Sequence, residues 1–399
     1  MTQPTCFHQS TSKLCDSMKW RAWGGYYSVE TYGPTHDSEY AAIRYAVGVM
    51  DVSPLFKYEV KGKDAARFLS RVIAKNIQLL KPGQVSYCCW TDDFGKILDD
   101  GTVTCYNDQH FMLTAAEPSL YWFSKFKNHY QVEMVDISAK YGALALQGPF
   151  AREVLVQVTE DESLKKLGFF RAQTARIAGV EVKVSRTGYT GDLGYEIWIP
   201  AEQGAKVYDY IMYIGRNFGM VPFGLNALDV TRVEAGFIMN GVDYFSANHC
   251  MIESRKSTPY ELGLGWTINL DNREPFVGLE ALRKEKKVGS KWSLVGLVLD
   301  WSEQEKLFAK YDLPPQLSSH AWRTAVPLYH GESGLQIGQA TSGVWSPILK
   351  QNLALAHVES EYAKEGSKIQ MEYTVEYHRH TVTATVTKTP FFNPERKRA

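Results

Sequence analysis

Three glycines at every third position, Gly188, Gly191 and Gly194, punctuate the stretch Ser185-Arg-Thr-Gly-Tyr-Thr-Gly-Asp-Leu-Gly-Tyr-Glu-Ile-Trp198. Glycine-rich spacing can cradle a phosphate, but only where a helix starts directly behind the loop and turns its free N–H groups toward the anion. Here the residues after Gly194 are Tyr-Glu-Ile-Trp-Ile-Pro, aromatic and β-branched in polar alternation. The run before the loop, Val180-Glu-Val-Lys-Val184, alternates as well. Both flanks read as strands, so a dinucleotide fingerprint is excluded. A tight strand-loop-strand connection is expected, with Tyr189 at its tip and Glu196 on the returning strand. On these residues alone, an ordinary hairpin with a core tyrosine and an exposed glutamate fits equally well.

A second set of chemical groups lies in Lys96-Ile-Leu-Asp-Asp-Gly-Thr-Val-Thr-Cys105. Asp99 and Asp100 are neighbours in a predicted strand, so their side chains point to opposite faces and only one can enter a given site. His378 and His380 have one residue between them and no third ligand at a recognisable spacing, so no metal site is expected. The six cysteines show no CxxC spacing and read as free thiols.

The elements that must position these groups follow from periodicity. Residues 64–73 place Ala65, Phe68, Leu69, Val72 and Ile73 at helical spacing behind Asp64. Further helices are expected at 118–127, 149–157, 202–215 and 225–236. Strands are expected at 57–60, 86–90, 96–105, 111–114, 132–135, 142–146, 180–184 and 195–199. From about Trp292 the texture changes to short β-prone runs at 294–299, 354–358, 374–377 and 380–386, and residues 300–319 read as a surface loop. The fold class is α+β. Residues 1–285 form one region of two mixed α/β modules, and residues 290–399 form a C-terminal β-barrel domain.

Lysines and arginines number 44, as do aspartates and glutamates, so there is no positive field to draw nucleic acid or an anionic membrane surface. The first twenty residues hold no apolar h-region, and no segment reaches about 18 uncharged apolar residues. A soluble, cytoplasmic protein is expected. The ten tryptophans and the 13% aromatic fraction suit a large core or the walls of a site for a flat ligand.

Taken with other segments, the glycine loop resembles the glycine-cleavage T-protein (aminomethyltransferase) superfamily, which includes folate-dependent demethylases. The matching segments are GVMDVSPLFKY from Gly48, GKILDDGTV from Gly95, Gln147-Gly-Pro149, FGLNALDVTRVEAG from Phe223, TPYELGLGW from Thr258, FVGLEA from Phe276 and ATSGVWSP from Ala340. The resemblance implies a cloverleaf of two folate-binding modules and a barrel around a channel for tetrahydrofolate. The implied partners are a small-molecule one-carbon donor and a flavoprotein or carrier protein that delivers the carbon unit.

By the same resemblance Asp100 is the catalytic carboxylate, with Asp99 as the alternative. Glu196 is the carboxylate for the pterin edge, Tyr189 and Tyr87 line the channel, Leu55 is an apolar contact and Arg232 supports the site. A pterin is flat and carries adjacent N–H donors, which suits aromatic walls and one carboxylate. For Arg232 and Glu234 a surface salt bridge is an equal alternative. Tyr244, Asn248 and His249 lie in a loop that could face the donor. Departures from the family pattern are Pro54, Gly101-Thr102, Ala115-Ala116 and Leu228. They suggest a donor pocket enlarged at Gly101 and stripped of polar groups, and so a small-molecule donor. Absence of the KGCYxGQE-like motif speaks against a folate-binding module without turnover.

Overall fold

The computed structural model describes residues 2–399, apart from the side chain of Glu332. The first module is a five-stranded sheet in the order Val85–Thr91, Ile97–Asn107, His110–Ala115, Phe56–Lys61 and Glu133–Asp136, antiparallel throughout. Helix Ala65–Val72 turns Ala65, Phe68, Leu69 and Val72 onto it, as their spacing requires. The second module is a six-stranded sheet in the order Ala172–Ile177, Val180–Ser185, Gly194–Pro200, Tyr141–Gln147, Gly48–Asp51 and Val221–Pro222. Helices Ala151–Thr159 and Gly204–Gly215 cover one of its faces with Val154, Leu155, Val207 and Ile211.

Six strands close into a barrel: Trp292–Leu299, Gln351–Glu359, Leu335–Ser346, Val326–His330, Lys368–Val375 and His378–Thr387. Closure leaves no unpaired edge, and Leu297, Leu328, Ile337, Ala356 and Val382 lie fully buried within the domain. Helix Leu225–Glu234 is buried along its whole length, packed against strands Tyr26–Thr31 and Leu335–Ser346. Its charged side chains Asp229, Arg232 and Glu234 therefore make buried ion pairs instead of a solvent face.

Three expectations about elements need correction. The segment 300–319 is not all loop, because Trp301–Ala309 is a helix whose cap, Asp300, accepts from the Glu303 N–H at 2.9 Å. Strand 374–377 ends at Val375, and Glu376 and Tyr377 take positive φ in a turn. In the segment 118–127 the α-helix is confined to Leu120–Ser124. A hairpin at Lys19–Trp23 and Tyr26–Thr31 and a helix at Asp37–Tyr45 complete the N-terminal part. Among the described residues no helix is long and apolar enough to cross a membrane.

Glu234 is neither exposed nor paired with Arg232. Its Oε2 receives Nη2 and Nε of Arg44 at 2.5 and 2.9 Å, and its Oε1 receives Tyr40 and Ser346 hydroxyls at 2.7 and 2.6 Å. Arg44 and Glu234 side chains are both fully buried. This ion pair joins the helix Asp37–Tyr45, the helix Leu225–Glu234 and the barrel.

Candidate active site

The glycine loop folds as a connection between antiparallel strands, with Ser185 opposite Glu196. Its glycines make room for one side chain. A Cβ at Gly188 or Gly194 would lie 2.2 or 2.3 Å from Gln147 Oε1, whose amide accepts the Thr190 hydroxyl at 2.8 Å. The close approach of the loop to Gln147 therefore excludes larger residues at both positions.

Asp99 and Asp100 differ sharply in their surroundings. Asp99 accepts four N–H groups: Ala116 at 3.0 Å and Glu117 at 2.9 Å on one oxygen, Asp100 at 2.9 Å and the Asn240 amide at 3.0 Å on the other. Asp100 receives the Tyr87 hydroxyl on Oδ2 at 2.7 Å and the Tyr244 hydroxyl on Oδ1. No lysine, arginine or histidine pairs with either carboxyl among the described residues. Burial pushes both upward from the ordinary carboxylate range, and the charge of Asp100 raises Asp99 further. Four N–H donors leave Asp99 no room for a carboxylic proton, whereas phenols can accept as well as donate. Asp100 is therefore the member of the pair that can take up and release a proton without losing its partners. Burial and the Asp100 carboxyl raise both Tyr87 and Tyr244, so the phenols remain protonated.

Two aromatic stacks flank this pair. Tyr87 lies on Trp266 with centroids 5.7 Å apart, and Tyr189 lies on Phe237 at 5.4 Å while its hydroxyl donates to the Ile238 carbonyl. Glu196 is held on Oε2 by the Thr187 hydroxyl at 2.6 Å, and Oε1 has no protein partner among the described residues. Burial raises its pKa. Leu55 is half-buried, and its carbonyl and that of Ser53 receive the buried Lys57 ammonium at 2.8 and 2.7 Å. Burial lowers Lys57 to about 8. Arg232 is fully buried rather than in a surface bridge. It donates to Asp229 at 2.9 Å, Asp243 at 2.6 Å, Ser342 at 3.1 Å and the Phe237 carbonyl at 3.3 Å.

The structure thus gathers Asp100, Tyr87, Tyr189 and Arg232 around the segment 237–246, which supplies Phe237, Asn240, Asp243 and Tyr244. Glu196 and Leu55 make no hydrogen bond with that group. Tyr244 binds Asp100 directly and Asn240 binds Asp99, the latter absent from the sequence reading. The available signal was slight: the aperiodic segment 237–246, directly behind a predicted helix, carries Asn240, Asp243 and Tyr244. His249 instead reaches Glu117 at 3.1 Å and is largely exposed.

The enlarged pocket at Gly101 does not exist. A Cβ there would lie 1.9 Å from the Thr114 carbonyl oxygen, so the glycine admits a close approach of the next strand and opens no space for donor. Ala115 is core of the first module, and Leu228 packs with Trp198 and Met112. A cleft of about 350 Å³ lined by Phe94, Lys96, Glu261 and Lys291 shares no residue with the acidic pair. Gly101→Ala is expected to cost about 1–3 kcal/mol of stability through overpacking, read by denaturant unfolding. An unchanged midpoint with altered donor preference would restore the pocket idea.

Two α/β modules, a closed barrel and a buried acidic pair between aromatic stacks define the aminomethyltransferase-like class of fold. Residues 6–272 match the GCVT N-terminal domain and residues 316–393 match the glycine cleavage T-protein C-terminal barrel domain. The chain belongs to the glycine-cleavage T-protein (GCVT) family. It is 34% identical over 339 residues to an aminomethyltransferase of Thermoanaerobacter sp. (strain X514), covering 84% of each chain. A trimethylamine-oxide aldolase of Ruegeria pomeroyi is 30% identical over an alignment that covers all of this chain and 48% of the aldolase. The aminomethyltransferase T of the Bartonella henselae glycine cleavage system superposes with a TM-score of 0.81 at 23% identity, covering 98% of this chain and 99% of that one.

Proposed function

We propose that this protein is a tetrahydrofolate-dependent one-carbon transferase that moves a CH2 or CH3 unit from a small amine or methylated donor onto tetrahydrofolate. The observation that carries the reading is the buried Asp99–Asp100 pair, free of any basic partner, between the Tyr87–Trp266 and Tyr189–Phe237 stacks. A buried acidic pair without a counter-ion is unfavourable on its own, and a site that handles a transient cation gives it a use.

The residues present suit tetrahydrofolate. Glu196 Oε1 can accept from the N–H edge of a pterin, and the stacks offer apolar faces. When bound, tetrahydrofolate supplies the nucleophilic nitrogens that take up the carbon unit. In this reading Asp100, as carboxylate, stabilises positive charge at the transferring carbon and takes up a proton. Tyr87 and Tyr244 hold its two oxygens and fix its plane. Asp99 fixes the turn at Ala116–Glu117 and the amide of Asn240. Leu55, set by Lys57, and Arg232, set by two aspartates, frame the site. Transfer of CH2 is the leading form, as the aminomethyltransferase relatives suggest. The similarity to an aldolase named for trimethylamine oxide supports a small methylated amine as donor, and methyl transfer giving 5-methyltetrahydrofolate is the second form. A soluble, cytoplasmic setting, and delivery of the carbon unit by a flavoprotein or carrier, belong to this reading. So does the division into a folate-binding region at 1–285 and a barrel at 290–399.

Anaerobic calorimetric titration with tetrahydrofolate tests it. Saturable binding is expected, with Glu196→Ala weakening it about tenfold to a hundredfold through lost charge-assisted hydrogen bonds. No binding by the unaltered protein would sink the reading. Binding without turnover on any donor of these classes would leave a folate-binding protein.

A further inference from the structure

The segment 237–246 leaves a buried acceptor unused beside the acidic pair. Asn240 Nδ2 donates to Asp99 Oδ1 at 3.0 Å, while Oδ1 of the same amide is buried and has no partner among the described residues. The orientation of the amide is fixed, because only its nitrogen can face the Asp99 carboxylate. A buried acceptor without a donor is unfavourable, and a bound N–H recovers that loss. Its neighbours by hydrogen bond and backbone pairing are the Asp99 carboxyl and Tyr244, whose hydroxyl is committed to Asp100.

We propose that Asn240 is a specificity-determining residue whose Oδ1 accepts an N–H from the one-carbon donor, so that the site selects a protonated amine over a sulfonium, a quaternary ammonium or an ether of similar size. The proposal rests on the one-carbon-transfer reading above. A site that offers a fixed acceptor rejects an analogue without the matching N–H, since the acceptor then stays unpaired in the complex. The carboxyl oxygens of the acidic pair are already engaged, by four N–H groups on Asp99 and by one hydroxyl on each oxygen of Asp100, whereas the amide oxygen of Asn240 is left for a donor N–H.

The test uses the whole protein saturated with tetrahydrofolate, titrated with trimethylammonium, trimethylsulfonium and tetramethylammonium. The three are small methylated cations, and only the first carries an N–H. The unaltered protein is expected to bind trimethylammonium about tenfold to a hundredfold more tightly than the other two. In Asn240→Leu that preference is expected to vanish, with tetrahydrofolate affinity in the absence of donor unchanged. Asn240→Ser is the second variant should Asn240→Leu fail to fold, and a preference that survives in the folded variant overturns the proposal, because a carboxylate then accepts the N–H. Equal affinities, or binding of none of the three, overturn the proposal and mean that Oδ1 holds only water. Loss of tetrahydrofolate affinity in the variant also overturns it, because the acceptor then serves the folate. Failure of tetrahydrofolate to bind the unaltered protein is a separate outcome, which overturns the parent reading as well.

Discussion

Replacing Asp100 with Asn is expected to lower turnover roughly 100- to 10,000-fold while tetrahydrofolate still binds. Asn copies the shape of the protonated carboxyl and can still bond the Tyr87 and Tyr244 hydroxyls, but it cannot take up a proton or face a cation as an anion. The same substitution should stabilise the fold at alkaline pH. Burial raises Asp100 in the folded state, so the folded chain holds its proton at a pH where the unfolded chain, with a pKa of about 3.9, has released it. The stability this group contributes is present below that unfolded value and is lost as pH rises through the raised folded value. Asn never ionises and escapes the loss. The melting temperature of the variant should therefore exceed that of the unaltered protein by more at pH 8 than near pH 4, where both states hold the proton. Single-turnover kinetics and calorimetry at both pH values check the two halves. Full activity in the variant would move the catalytic role elsewhere, with Asp99 a poor substitute because four N–H groups already occupy it.

Glu234→Ala should cost about 3–5 kcal/mol, measured by urea unfolding. The substitution leaves the Arg44 guanidinium fully buried with its main counter-ion removed. Asp192 remains, but at 3.5 Å, and it is shared with Arg396 at 2.7 and 2.8 Å. It also strips acceptors from the Tyr40 and Ser346 hydroxyls. Glu234→Gln, which keeps an acceptor and the volume, should lose less. A loss under about 1 kcal/mol in the alanine variant would mean that Arg44 reaches water or rearranges onto Asp192.

Much of the architecture was legible because it depends on local pattern. Alternation in Val180–Val184 and Tyr195–Ile199 gave the hairpin that carries Tyr189 and Glu196, and period-3.6 spacing gave helix Ala65–Val72. The adjacent carboxyls were visible as well, and strand alternation does set them in different surroundings. What could not be read was convergence. Asn240 and Tyr244 reach Asp99 and Asp100 across about 140 residues, from a segment without periodicity, and only the folded chain brings them together. Gly101 misled for a related reason. Beside a carboxylate a glycine suggests space, yet the neighbouring strand fills that space with Thr114. The helix Trp301–Ala309 was a different kind of miss, since Asp300 and Glu303 are a capping signature that the surrounding loop composition obscured.

Asp243 lies at the base of the segment that carries Asn240 and Tyr244. One of its oxygens receives the barrel hydroxyls of Thr341, at 2.6 Å, and Ser342, and the other receives Arg232 and the Met239 N–H. His357, also of the barrel, donates to the Asp243 carbonyl at 2.6 Å. In the one-carbon-transfer reading, competence is thereby wired to the integrity of a domain that contributes no group to the acidic pair. Partial melting of the barrel would release the segment and silence the proposed activity while the two sheet modules kept their shape, so activity would track the least stable cooperative unit and not the global midpoint.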